Sequence, residues 1–344
     1  MRAACSSERI FSMLIPLFLF VAGLLLLIKG GDWFVDGASG IAHRFKMSEL
    51  IIGATIVSVG TTLPEVMVSA TSALQGHGAL AYGNAVGSII CNAALIAAFT
   101  MVVRPSKANR KILIVPTVFF FLSTAVYLFS AYYFREFSRL TGALLLCIFL
   151  LYLVISVAIA KRTHDPVPET AEIEPAPIHP EGNDEPQRPL LLEVLLLILG
   201  GAAIAIGADL LVDNGQILAR ELGIPEVIIG LIFVSLGTSL PELITAITAL
   251  IKGHASMSLG NIIGANILNL SLVSGLASAI RPFDLPAEHL IFGIPSSLVI
   301  DLPVMLAVML LLTVPTLIRN KVSRAQGILL MAIYLCFCVL SFIL

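Results

Sequence analysis

The chain reads as long apolar runs separated by short charged or glycine-rich breaks. Runs such as 13–28, 112–133, 140–160, 304–317 and 327–344 reach or approach the length of a helix that crosses a bilayer core. Together with the glycine-rich runs between them they predict ten spans: 13–38, 50–74, 79–103, 112–133 and 138–160, then 190–215, 226–251, 256–280, 289–317 and 325–344. One stretch, 161–189, is rich in Pro, Glu and Asp and cannot bury a core, so it is expected to be a disordered, mildly acidic cytoplasmic linker.

The pattern repeats. Adding 177 to a residue number carries positions from about 30 to 97 onto 207 to 274 without a gap. Asp32 and Asp36 fall on Asp209 and Asp213, and Glu49-Leu-Ile-Ile-Gly53 falls on Glu226-Val-Ile-Ile-Gly230. Gly60-Thr-Thr-Leu-Pro-Glu65 falls on Gly237-Thr-Ser-Leu-Pro-Glu242, and Gly83-Asn84, Gly87 and Asn92 fall on Gly260-Asn261, Gly264 and Asn269. Such duplication is the mark of transporters whose halves pack around a midplane site. Five spans per half is an odd number, so the second half starts from the opposite side and the repeats are inverted. The expected architecture is thus an all-α integral membrane protein of about ten transmembrane helices in two inverted five-helix repeats. Its organisation is a first half at 10–160 with the repeat motif at 53–98, the linker at 161–189, and a second half at 190–344 with the motif at 230–275.

Sidedness follows from Lys and Arg, which collect in cytoplasmic loops. With both termini outside, the inner segments hold thirteen (Arg44, Lys46, Arg104, Lys107, Arg110, Lys111, Lys161, Arg162, Arg188, Lys252, Arg319, Lys321 and Arg324) and the outer ones six. Arg2 and Arg9, before the first span, pull the other way. The first apolar run is not a signal peptide, because it continues into a segment that reappears in the second half.

Glu65 and Glu242 carry the candidate chemistry. Each sits in an apolar span, where an unpartnered carboxylate is costly, and neither motif holds a Lys or Arg to pair with it. The natural counter-charge is a cation or a proton. Thr61, Thr62 and Glu65 share one helical face. Pro64 takes a donor from the Gly60 carbonyl, so the helix is expected to kink or unwind and free carbonyls from about Ser58 to Thr61. Ser235, Thr238, Ser239 and Glu242, with Pro241, form the matching set. Ser88 and Asn92 add hydroxyl and amide oxygen, and Asn269 is the mate of Asn92. Gly83, Gly87, Gly260 and Gly264 form small-residue faces for close packing. An oxygen-only donor set suits Ca²⁺, Mg²⁺ or Na⁺ rather than Zn²⁺ or Cu⁺, and a dry site favours Ca²⁺ over the water-retaining Mg²⁺. Two glutamates cancel one Ca²⁺ or two Na⁺.

Composition narrows the picture. Hydrophobic residues make up 58% and charged residues 12%, which excludes an ordinary soluble domain. A net charge of −2 without an aromatic-laced basic patch excludes nucleic acid. The five cysteines lack metal-ligand spacing and read as packing residues. His77 and His254 read as turn residues, Asp32, Asp36, Asp209 and Asp213 as anchors near span ends, and Asp301 as a helix cap.

These blocks, GATIVSVGTTLPE with GNAVGSIICN and GLIFVSLGTSLPE with GNIIGANILN, resemble the paired α-repeats of the cation/Ca²⁺ exchanger superfamily, in particular the prokaryotic Na⁺/Ca²⁺ exchangers. The resemblance covers nearly the whole chain apart from the linker. It implies ion ligands at Thr61, Thr62, Glu65, Ser88 and Asn92 with the Ser58 carbonyl, and at Thr238, Ser239, Glu242 and Asn269 with the Ser235 carbonyl. It also implies alternating access, with the first and sixth helices sliding across the bundle that holds the site. Three positions depart from the pattern. Ala265 stands where a ligand serine is common, Asn269 where many members have aspartate, and Ile89 where an asparagine is usual after Ser88, although Asn266 keeps it. Two acids rather than three disfavour a K⁺-dependent exchanger.

The expected function is a plasma-membrane (inner-membrane) antiporter that exchanges Ca²⁺ for Na⁺, with no prosthetic group, no nucleic-acid partner, and a monomer in the lipid bilayer as the unit. The rival is a Ca²⁺/H⁺ exchanger using the same glutamates, against which the retained hydroxyls argue. No HExxH, GxSxG or facing aspartate pair supports an intramembrane hydrolase, so no enzyme is expected. A passive channel is left open.

Overall fold

A computed structural model of the chain describes residues 2–45, 49–162, 188–221, 237, 239–287 and 290–343. The first half runs α1 (Arg2–Arg44), α2 (Glu49–Ile52), a π-helical turn Gly53–Val57, α3 (Ser58–Thr61), α4 (Leu63–Gln75), α5 (Gly78–Cys91), a π turn Asn92–Ala97, α6 (Ala98–Val103), α7 (Arg110–Phe129) and α8 (Arg139–Arg162). The second runs α9 (Leu190–Glu221), α10 (Leu240–Ile251), α11 (Ala255–Leu268), a π turn Asn269–Val273, α12 (Ser274–Ile280), α13 (Leu302–Arg319) and α14 (Arg324–Ile343). Two-residue strands occur only in loops, where β1 (Glu136–Phe137) pairs antiparallel with β2 (Phe283–Asp284). Residues 163–187 of the linker, Ser235 and Thr238 lie outside the described residues.

Among the described residues, eight helical segments are long and apolar enough to cross a membrane. The expected span at 50–74 is not a continuous helix of that length, and of the expected span at 226–251 only Gly237 and the residues from Ser239 on are described; both carry the repeated motif. The first is broken at Thr62 (φ −85°, ψ 0°), and the second is described from Ser239 (φ −91°, ψ 5°), its repeat mate. Pro64 and Pro241 sit in the first turn of the helices that follow, where a missing N–H is tolerated. The expected unwinding is confined at the first motif to one residue. Ser58–Thr61 stays helical, and the Ser58 carbonyl accepts the Thr62 N–H at 3.0 Å. Asp301 is not a cap. It ends a π turn, Ser297–Asp301, that runs straight into α13, and it makes no side-chain cap hydrogen bond.

Small residues decide how the helices meet. Along α1 and α9 the chains run antiparallel with backbones nearly touching: a methyl group on Gly37 would lie 2.6 Å from the Glu193 carbonyl oxygen. The pair contributes Leu27, Phe34, Val35, Ala38 and Ile204 to an apolar cluster that it shares with Ile52, Val57, Ala249 and Met257 of the neighbouring segments. The larger core joins α5, α7, α8, α11 and α13 around Phe120, Tyr127, Tyr152, Ile263 and Met305. Gly264 lets α11 press on the broken segment, since a methyl there would sit 2.6 Å from Ser58 Oγ and 2.7 Å from Ala54 Cα.

The two expected loop sets are segregated in space. One end gathers Gly76 against Arg281 and the β1–β2 pair. The other gathers the Lys107–Lys321 bridge, Arg104 on the Leu250 carbonyl, Lys252 on Asp36 and Arg44 on Glu193.

Candidate functional site

The broken helices bring the two motifs face to face at the centre of the bundle. Ser58, Thr62, Glu65, Asn92, Glu242 and Asn269 are wholly buried, and Thr61, Ser88 and Ser239 nearly so. Among these nine, side-chain contacts between the halves join Thr62 to Glu242 and Ser88 to Ser239. Sequence reasoning included two further positions, Ser235 and Thr238, which lie outside the described residues.

Contacts across the pseudo-twofold stitch the halves together. Thr62 Oγ1 donates to Glu242 Oε1 at 3.2 Å, and Thr61 Oγ1 to Asn261 Oδ1 at 3.2 Å. Ser239 Oγ approaches Ser88 Oγ at 3.5 Å.

What the site leaves unpaired defines its chemistry. Among the described residues twelve buried side-chain polar atoms lack a partner, and seven of them belong to Glu65 (both oxygens), Glu242 (Oε2), Asn92 and Asn269 (both amide atoms each). An orphaned buried polar atom costs about 1–3 kcal/mol, and a carboxylate more. Orphans scattered at random would signal poor packing. Concentrated on two acids and two amides from symmetric positions, they form a preorganised set of hard donors.

The backbone contributes in the same way. π turns begin at Asn92 and at Asn269, one in each half, and a third covers Gly53–Val57 just before Ser58. A π turn widens the helix and re-aims its carbonyls, which is why it recurs at functional sites. At the third turn, Tyr152 Oη donates to the Ala54 carbonyl at 2.7 Å and holds the distorted segment.

Asn84 and Asn261 were visible in the repeat but not read as part of the site. Asn84 Nδ2 donates to the Glu65 carbonyl (3.1 Å) and to Ser69 Oγ (2.9 Å), while Asn261 Nδ2 donates to Thr245 Oγ1 (2.9 Å). They fasten the glutamate-bearing helices to the next span. Their recurrence beside Gly83 and Gly260 was the available signal. Ala265, at the expected ligand-serine position, is fully buried and presents a methyl group.

Fold and site together define a class, an integral membrane carrier whose inverted halves enclose two buried carboxyl groups. The family model described as sodium/calcium exchanger protein matches residues 15–158 and 192–343. An uncharacterized membrane protein of Methanocaldococcus jannaschii is 33% identical over 92% of this chain and 94% of its own. The sodium/calcium exchanger MaX1 of Methanosarcina acetivorans is 29% identical over 94% and 97%, and the inner membrane protein YrbG of Escherichia coli 36% identical over 78% and 81%. A solved structure of the sodium-calcium exchanger NCX_Mj, soaked with Na⁺ and Sr²⁺, superposes with a TM-score of 0.77 at 32% identity and covers 95% of this chain and 99% of that one. The chain belongs to the sodium/calcium exchanger family, and with it to the integral membrane cation antiporters.

Proposed function

We propose that this antiporter exchanges Ca²⁺ for Na⁺ by alternating access, with the ions held near the bilayer midplane between the halves 10–160 and 190–344. The observation that carries the reading is the pair of wholly buried carboxyl groups, Glu65 from one half and Glu242 from the other, whose oxygens are largely without protein partners. Two negative charges match one Ca²⁺ or two Na⁺, so either cargo neutralises a site that is costly when empty of charge. Ser58, Thr61, Thr62, Ser88 and Asn92 from one half, and Ser235, Thr238, Ser239 and Asn269 from the other, complete an oxygen-rich shell suited to a hard cation. The sodium/calcium exchangers named among its relatives support the choice of ions.

The lysine and arginine bias supports an orientation in a plasma membrane with both termini outside and the linker 161–189 in the cytoplasm. A monomer is the proposed unit, because both glutamates come from one chain.

Proteoliposomes loaded with Na⁺ and diluted into Na⁺-free medium should accumulate ⁴⁵Ca²⁺. Uptake driven equally by a pH gradient without Na⁺ would replace the reading with a Ca²⁺/H⁺ exchanger. Downhill Ca²⁺ flux with no counter-ion dependence would replace it with a channel.

A further inference from the structure

The site is walled on one side by the α1–α9 pair. A cleft of about 200 Å³, open mouth included, runs between Phe34, Ile204 and Ala205 of that pair and Gly60, Thr61, Pro64 and Pro241 of the broken helices. The pair packs on itself through glycine and meets the rest of the bundle across an apolar cluster shared with Ile52, Val57, Ala249 and Met257, so the cleft lies along the seam between the pair and the bundle. Parting that seam exposes Thr61 and the groups behind it.

A single ammonium bridges the seam at one end. Lys252, immediately after the helix that carries Glu242, donates from Nζ to Asp36 Oδ1 at 2.7 Å and to the Asp32 carbonyl at 2.9 Å, with Asp32 Oδ1 at 3.6 Å. Both aspartates stand one turn apart on α1, on the opposite side of the seam. Arg188 adds a looser contact, 4.0 Å from Asp36 Oδ2, and Ser39 Oγ lies 3.4 Å from His254 Nε2 at the same end. The Lys252 side chain is only 24% exposed, so solvent screens these charges less than it would a fully exposed pair.

The inverted repeat supplies the comparison. The mates of Asp32 and Asp36 are Asp209 and Asp213 on α9, but the mate of Lys252 is Gln75. No ion pair joins Asp209 or Asp213 to another described residue. In a carrier whose two halves are otherwise matched, states closed at either end would be close in energy. One end has a three-centre ionic clasp, and the other, among the described residues, has two carboxylates and a neutral amide.

We propose that Lys252 is a one-sided latch, a positioning residue whose clasp on Asp32 and Asp36 holds the α1–α9 pair against the bundle at its own end. The clasp favours the state closed on the Lys252 face and leaves the Gln75 face the readier to open. The inference rests on the proposed site, because the cleft matters only if Thr61 and its neighbours receive the cargo. A small asymmetry suffices: a tenfold change in population corresponds to about 1.4 kcal/mol.

The test uses the full chain in proteoliposomes, with its five cysteines replaced and one cysteine introduced by Ala205→Cys in the cleft wall. A membrane-impermeant maleimide is added to either face. Lys252→Gln, which copies the repeat mate, should speed labelling from the Lys252 face roughly 3- to 10-fold. Gln75→Lys should slow it from the opposite face. The swap Lys252→Asp with Asp36→Lys should restore the original ratio, which a merely unfolded or loosened protein would not do. Labelling ratios unchanged within twofold in both single variants would overturn the latch, as would a Lys252→Gln effect that the swap does not reverse. The readout needs no transport, so a failed latch with intact Na⁺-driven ⁴⁵Ca²⁺ uptake is distinguishable from failure of the exchange reading itself.

Discussion

Replacing Glu65 by Gln isolates charge from shape. The side chain is wholly buried, and neither carboxyl oxygen has a protein partner, so an amide of the same size breaks no hydrogen bond in the folded protein. Stability should therefore move by no more than about 1 kcal/mol, which leaves the melting temperature within about 4 °C. The effect on cation binding is of another order. One of two formal charges around a desolvated Ca²⁺ is removed, and losing one partner of a buried charge pair costs about 2–5 kcal/mol. At 1.4 kcal/mol per decade, Ca²⁺ affinity should fall roughly 30- to 4,000-fold, and Na⁺-driven uptake should be lost. The assay is ⁴⁵Ca²⁺ binding to purified protein, run beside thermal unfolding and uptake. Affinity within threefold of the parent would refute the site assignment. A large drop in melting temperature would show instead that the carboxyl has a structural partner, and the reasoning from its orphaned oxygens would fail.

Two further outcomes follow from particular positions. Ala265→Ser with Asn269→Asp restores the hydroxyl and the third acid of the family pattern at two fully buried positions, so the Na⁺ dependence of uptake should steepen; an unchanged Hill coefficient for Na⁺ would remove these positions as counter-ion determinants. Gly264→Ala pushes a methyl to 2.6 Å from Ser58 Oγ and 2.7 Å from Ala54 Cα, overpacking that should cost about 1–3 kcal/mol and lower the melting temperature, whereas unaltered melting would mean that α11 and the broken segment can part freely.

The two glutamates were legible because the bilayer makes a lone acid conspicuous. In an apolar span there is no innocuous place for a carboxylate, and its recurrence at an interval of 177 beside a proline ties the halves together in the sequence itself. The bend at Thr62 was likewise foreseeable from Pro64. Its confinement to one residue was not, because the Thr62 N–H still reaches the Ser58 carbonyl and only the local packing decides that. Asp301 misled for a related reason. An aspartate before Leu-Pro is a good cap when a helix starts there, but here a π turn precedes it and there is no free helix end to cap.

The sequence alone determined the solvent, the inverted duplication, the family and the acids at the centre, since each depends on residue type and spacing along one dimension. Tertiary structure decided which polar atoms remain unpaired, that Thr62 reaches Glu242 rather than its own half, and that Lys252 clasps Asp32 and Asp36 across a seam. Those outcomes depend on distances between segments roughly 180 to 220 residues apart, which close glycine contacts set and no local pattern records.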